Sequence, residues 1–184
     1  MELNKIKMKA KISIKLNTSF KLLLVLLVLS LVSCTISYKF NGSSIDYSKT
    51  KTLSIADFPN NAELIFPPLA QEFSEKLRDT YSRQTRLKLL KKGGDMQLEG
   101  EIVGYELTPM SISADSYASQ TKLTVTIKVR FTNIKNPEDD FEKSYTAYQT
   151  FDSNSLLTDV QDELMKIMIT EIAENIYNDT VAKW

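Results

Sequence analysis

The 184-residue chain contains no histidine and a single cysteine, Cys34. Without an imidazole the common zinc sites, Ser-His-Asp triads and Cys-His pairs are all excluded. One cysteine cannot close an intramolecular disulfide. There is no phosphate-binding loop, because Gly93-Gly94-Asp95 lacks the Lys-Ser/Thr that would follow; these residues read instead as a hairpin turn. Carboxylate chemistry is what the absences leave formally open, and two pairs qualify, Asp139-Asp140 and Asp162-Glu163. The first follows Asn136-Pro137-Glu138, a turn signal between strands. The second falls in the opening turn of a helix, where acids favour the macrodipole. Both read as structural. No catalytic residue, metal ligand or cofactor is assigned, and a binding or assembly protein is expected rather than an enzyme.

The apolar run at 22–32 holds eleven residues, too few to cross a bilayer, which takes about 20. Lys5, Lys7, Lys9, Lys11, Lys15 and Lys21 precede it. A basic segment followed by a short apolar one is a secretory signal. The run closes on Leu31-Val32-Ser33-Cys34, which resembles the bacterial lipobox. That resemblance implies that residues 1–33 are removed, that Cys34 is acylated, and that it becomes the first mature residue. The remaining 151 residues suffice for one domain with a real core. Removing 1–33 takes away six lysines and one glutamate, which leaves 17 basic against 22 acidic residues, a net charge of −5. A nucleic-acid partner would need a basic stripe, so none is expected. Electrostatic adhesion to anionic lipid is disfavoured for the same reason.

Periodicity organises the mature chain into a tether over 34–50, rich in Ser, Asn and Gly, and a single domain over 51–184. Residues 51–58 read as a strand with Leu53 and Ile55 on one face. Pro67-Pro68 opens a helix in which Leu69, Phe73, Leu77 and Tyr81 recur every four residues. Residues 86–91 form a second short strand. In a third, Met96, Leu98 and Ile102 alternate with Gln97, Glu99 and Glu101; Gly100 and Gly104 are placed on its apolar face, where close packing or a bulge is expected. The fourth strand is the clearest: Leu123, Val125, Ile127, Val129 and Phe131 alternate with Lys122, Thr124, Thr126, Lys128 and Arg130. A turn over 133–140 leads to a fifth strand at 141–151. Thr158-Asp159-Val160-Gln161 fits a capping box for a closing helix. Its apolar line runs through Val160, Leu164, Met168, Ile172 and Ile176, flanked by Ile167, Ile169, Ala173 and Tyr177. The order β-α-β-β-β-β-α predicts an α+β two-layer sandwich, a small mixed, mainly antiparallel sheet with both helices on one face.

Two groups of residues are candidates for contact with a ligand or partner. Lys122, Lys128 and Arg130 line the polar face of the fourth strand and suit phosphate oxygens. The competing reading, favoured by the acidic domain, is a solvated face whose cations discourage sheet-to-sheet aggregation. The segment 108–120 is a long hairpin tip carrying Met110, Ile112 and Tyr117, and such loops are often functional. The alternative is a tip whose apolar residues fold back on the sheet.

Several segments in order resemble the LptE family of outer-membrane lipopolysaccharide-assembly lipoproteins, in its Bacteroidota-type form. They are Ser33-Cys34 with Tyr38-Lys39-Phe40-Asn41-Gly42, Thr52-Leu53-Ser54-Ile55-Ala56-Asp57-Phe58-Pro59-Asn60, Gly94-Asp95-Met96-Gln97-Leu98-Glu99-Gly100-Glu101-Ile102, Phe141-Glu142-Lys143-Ser144-Tyr145 and Asp162-Glu163-Leu164. The resemblance covers essentially the whole mature chain and implies two helices on a small sheet. It also implies a lipid-anchored outer-membrane protein, facing the periplasm or the barrel lumen, that partners the LptD β-barrel and supports lipopolysaccharide transport. A large barrel leaves a lumen to fill, and acyl tethering concentrates a domain beside it. The resemblance also makes lipopolysaccharide a candidate ligand, with Lys122, Lys128, Arg130, Met110, Ile112 and Tyr117 as candidate contacts for it or for the barrel, although no family motif maps onto these positions. The rival reading is a periplasmic lipoprotein serving as auxiliary subunit of a lipid or drug exporter. Thr35, where an aspartate retains some bacterial lipoproteins at the inner membrane, favours outer-membrane sorting. A Cys34→Ala variant is expected to incorporate no labelled palmitate in cells and to retain residues 1–33; palmitate labelling and intact-mass measurement of the variant would check both.

Overall fold

Alternation along one strand divides the protein into two layers. In the computed structural model, which describes residues 45–110 and 119–182, that strand is β4 (Gln120–Asn133). Its Leu123, Val125, Ile127, Val129 and Phe131 are buried, while Lys128 and Arg130 are exposed. The other elements are β1 (Thr52–Ile55), α1 (Pro68–Gln84), β2 (Lys88–Leu90), β3 (Met96–Met110), β5 (Phe141–Asp152) and α2 (Leu157–Tyr177). The strands form one sheet in the order β2-β1-β3-β4-β5. β1 runs parallel to β2 and β3, and the remaining pairs are antiparallel. Both helices pack on the apolar face, which is the α+β sandwich the sequence order predicts.

α1 starts with Pro68 in its first turn, where the missing N–H costs nothing. It buries Leu69, Phe73, Leu77 and Tyr81. Each such side chain contributes about 1.5–3 kcal/mol on burial. The Arg83–Asp79 pair on its outer face is exposed and screened by water, and adds little beside them. The Tyr81 hydroxyl is hydrogen-bonded to the Thr180 hydroxyl in the π turn Asn178–Ala182. Burial pushes that phenol well above its ordinary pKa. Tyr145 of β5 donates to Asp179 at 2.7 Å, and Lys143 pairs with the same carboxylate at 2.6 Å. The C-terminal turn is thereby fastened to both layers.

In α2 the buried side chains are Met165, Met168, Ile169, Ile172, Ala173 and Ile176. Ile167, expected on the flank of the stripe, is 45% exposed, and Met165 takes a place the sequence reading did not give it. The cause is helical pitch. A line drawn every four residues advances by about 40° per step, so it turns by about 160° from Val160 to Ile176. The true stripe alternates steps of three and four. The capping box also fails: α2 begins at Leu157, its N-cap is Leu156, and no side chain caps it. Leu157 packs against the core and draws the helix start ahead of Thr158, leaving Asp159 as the acid of the first turn and Asp162-Glu163 beyond it.

Gly93-Gly94-Asp95 is not a hairpin turn. β2 and β3 do not pair; β1 lies between them and runs parallel to both. The chain leaving Leu90 crosses the polar face of β1 to reach Met96. Gly93 has φ +72°, a left-handed conformation. A Cβ on Gly94 would lie 2.6 Å from the Ser54 nitrogen, so only glycine passes there. Gly104 is corrected too. The register shifts between Ile102 and Gly104, and this bulge at Val103 reverses the phase. Gly104 then faces Thr126 on the polar side, and Tyr105 enters the core. Gly100 does lie on the apolar face, under the ring of Phe58.

Asp95 fastens the start of β1. Its Oδ2 accepts the backbone N–H of Lys51 (3.0 Å) and Thr52 (3.1 Å) and the Thr52 hydroxyl (2.8 Å). Its own N–H donates to that hydroxyl at 2.8 Å. The N–H of Lys51, then the Thr52 hydroxyl, hold the Asp95 carboxyl down from 3.8 to about 2. A depressed folded-state pKa stabilises the fold above about pH 3.8 and loses that contribution as pH falls through about 2. In urea titrations the stability gap between wild type and Asp95→Asn is expected to be constant from about pH 7 to about pH 5 and to shrink towards pH 2. A gap unchanged across that range would contradict the assignment.

Candidate functional site

Among the described residues, the side of β3, β4 and β5 away from the helices is open, and register decides what meets there. Arg130 of β4 lies opposite Glu99 of β3 and Glu142 of β5. Lys128 lies opposite Glu101 and Ser144. Antiparallel neighbours on one face are close enough for side chains to pair. Glu142 takes both cations: Arg130 donates through Nε (3.0 Å) and Nη2 (2.8 Å) to Oε2, and Lys128 Nζ lies 2.6 Å from Oε1. Hydrogen bonds from Lys128 and then Arg130 hold the Glu142 carboxyl below the usual carboxylate range. The hydrogen bond to Glu142 in turn raises the Arg130 guanidinium. Glu99, Gly100, Glu101, Lys128, Arg130 and Glu142, with Pro59, line a shallow hollow of about 300 Å³.

Further along the same face, Lys122 Nζ stands 5.6 Å from the centre of the Tyr148 ring, a cation–π contact. The Thr126 and Thr146 hydroxyls are 3.1 Å apart. Met110 closes the β3–β4 ladder opposite Gln120 and is 44% exposed. Four of the candidates thus share one face, Met110, Lys122, Lys128 and Arg130. Ile112, Tyr117 and Cys34 lie outside the described residues. The hairpin tip is shorter than the expected 108–120, because Thr108, Pro109 and Met110 pair with Lys122, Thr121 and Gln120.

The single-strand pattern placed the cations on the polar face but gave them no partners. Glu99, Glu101, Glu142 and Tyr148 were missed as members of the site. Counting outwards from the 133–140 turn would have brought Arg130 to Glu142 within one residue, so that signal was present. The hollow is consequently of mixed charge, and an anion entering it must compete with Glu142 for both cations. The other carboxylates have structural duties. Asp139 accepts from the side-chain amides of Asn133 and Asn136, both at 3.0 Å, and Asp140 accepts the Asn133 N–H at 2.6 Å. Among the described residues no three Cys, Asp or Glu side chains are grouped to hold a metal ion. No described helix is long and apolar enough to cross a membrane.

Because Glu142 ionises below its ordinary value of 4.5, the Arg130 contact should persist into mild acid. The Arg130 Nε–H resonance is expected to titrate with a midpoint below 4.5. A midpoint at or above that value would mean the pair is not held in solution.

A family model described as "LptE: Lipopolysaccharide-assembly" matches residues 50–180, a span that takes in all five strands and both helices. No curated protein sequence matches. Among solved structures, the rare lipoprotein B from Shewanella oneidensis is similar at 13% identity and TM-score 0.47, over 70% of this chain and 92% of that one. A minor lipoprotein from Acinetobacter baumannii is similar at 16% identity and TM-score 0.44, over 69% of this chain and 89% of that one. A PelC dodecamer from Paraburkholderia phytofirmans is similar at 12% identity and TM-score 0.44, over 74% of this chain and 90% of that one. All three scores fall below 0.5, and the functional reading rests on none of them. The family match alone, spanning the folded domain from its first strand to its last helix, places the chain in the LptE family of lipopolysaccharide-assembly lipoproteins.

Proposed function

We propose that this lipoprotein partners an LptD-type outer-membrane β-barrel, supports the assembly of that barrel, and through it assists delivery of lipopolysaccharide to the cell surface. The observation that carries this reading is the family match over 50–180. In this account acyl chains on Cys34 anchor the protein in the outer membrane, and the domain faces the periplasm or the barrel lumen. The tether keeps the domain at high local concentration beside the barrel, so modest contacts suffice. The chain needs no cofactor for this work and performs no chemistry.

The contact surface in this proposal is the open face of β3, β4 and β5 together with the tip. Lys122, Lys128 and Arg130 supply charge; Met110, Ile112 and Tyr117 supply apolar area. Lipid phosphates would engage Arg130 and Lys128 by displacing Glu142, exchanging one charge-assisted partner for another. Lys128 and Arg130 stay ordered by Glu142 until then, which lowers the entropy cost of capture.

Affinity purification of the acylated protein from gently solubilised envelopes, with partners identified by mass spectrometry, tests the reading. Stoichiometric recovery of a large outer-membrane barrel is expected. Recovery with an inner-membrane transporter and no barrel would overturn it in favour of an exporter's auxiliary subunit.

A further inference from the structure

Among the described residues the sheet has three stretches of edge where backbone groups face away from any neighbouring strand, and two of them are blunted. β2 is only three residues long and begins with an exposed lysine, Lys88. On β3 the edge beyond Ile102 is broken by the bulge at Val103 and by Pro109, which has no N–H to offer. Such devices keep edges from pairing with other chains. β5 has neither a bulge nor a proline, and its one lysine, Lys143, is paired with Asp179. It runs for twelve residues, pairs with β4 without a register shift, and contains neither proline nor glycine.

Register settles which of its groups point outwards. Ile102 donates its N–H to the Pro59 carbonyl and accepts the Asn61 N–H, both at 2.9 Å. It therefore faces away from β4, and Ile127 opposite it turns its polar groups to β5. Strict alternation then directs Tyr145, Ala147 and Gln149 into the β4 ladder and leaves Glu142, Ser144, Thr146, Tyr148 and Thr150 facing outwards. Two observations confirm the phase. Pro109 falls on the outward side of β3, where a strand tolerates proline. The 3.1 Å contact of the Thr126 and Thr146 hydroxyls fits the closer side-chain approach of a non-hydrogen-bonded pair. β5 ends the sheet; Ser144 and Thr146 are exposed, and Tyr148 is 60% exposed. From Ser144 to Phe151 the strand carries no charge and is rich in Tyr, Thr and Phe, residues suited to pairing.

We propose that β5 is a strand-addition edge, to which an extended segment of a partner protein pairs and extends the sheet by one strand. An alternating row of free N–H and C=O groups selects a backbone, not an apolar surface or a headgroup. Charge selects a different chain over a second copy. The antiparallel registers that use the whole of β5 would set Asp152 of one copy against Glu142 or Asp140 of the other, twice by symmetry. The complementary strand is uncharged through its middle and basic near its ends. The proposal does not require the strand donor to be a barrel.

Residue-resolved hydrogen exchange on the full acylated protein tests it, comparing the protein alone in detergent with the complex isolated from envelopes. Alone, the amides of Ser144, Thr146, Tyr148 and Thr150 are expected to exchange at least about tenfold faster than those of Tyr145, Ala147 and Gln149. In the complex the outward set should gain at least about tenfold protection. A benzophenone side chain in place of Tyr148, photolysed in intact cells, should cross-link to an extended segment of another protein. Thr146→Pro, which removes an outward N–H and the exposed hydroxyl contact with Thr126 but no bond of the β4 ladder, should abolish that adduct and leave the melting temperature near that of Thr146→Ala, which loses the hydroxyl alone and should keep the adduct. An adduct with a second copy would overturn the proposal in favour of self-pairing. Unchanged exchange in the complex with no adduct would overturn it outright. Copurification of a barrel with β5 unprotected would sink this inference alone, whereas β5 protected by a chain other than a barrel would support it and count against the barrel reading.

Discussion

The phase of β4 is the constraint on which the rest of the structure depends. It is hydrogen-bonded along both sides, to β3 and to β5, and one face buries five large apolar side chains while the other carries three cations. A slip of one residue would exchange the two sets completely, placing Lys128 and Arg130 beneath the helices and Val129 in water. Neither outcome is tolerable, so register along the three-stranded ladder is fixed by burial. The helices then have one place to go, and their apolar faces complete a single core with β4's inner residues. The polar face inherits its arrangement from the same registration: Glu99, Arg130 and Glu142 meet across three strands because Leu98, Phe131 and Phe141 meet beneath them.

How much of this was legible in the sequence depended on the range of the interaction. β4 and α1 could be read directly, since each has a strict apolar period that one strand or one helix displays unaided. Element order gave the layer architecture. What sequence reading misplaced was decided by neighbours. The Gly93-Gly94 segment has the composition of a turn, but only the insertion of β1 between β2 and β3 shows that it crosses a strand. The phase of Gly104 was hidden by a bulge, which leaves no mark in an alternating pattern except one residue too many. Thr158 offered a good local cap and lost to the packing of Leu157. In the candidate site, the cations were legible and their carboxylate partners were not, because pairing between strands is set by turn geometry far along the chain.

The polar face also illustrates how an acidic domain can present cations without becoming an anion trap. Glu142 satisfies Lys128 and Arg130 together, keeping them extended and in register. Exposed pairs of this kind contribute little to folding, so their arrangement is free to serve recognition. On the proposed reading, a ligand that matches carboxylate geometry and carries more charge would take over the same donors with little rearrangement, and a weaker anion would not displace Glu142.

Asp95 fixes more than the start of β1. By holding Lys51 and Thr52 beside Met96, and Lys135 at 3.3 Å, it sets the point at which the chain from the tether enters the domain. That point is at the foot of the long hairpin, where β3 begins and β4 ends. Fifteen residues of β3, at about 3.3 Å each, carry Met110 about 45 Å from that entry. The entering chain and the far end of the hairpin therefore sit at opposite ends of one strand, so whatever meets Met110 does so a full strand length from the segment that enters beside Asp95.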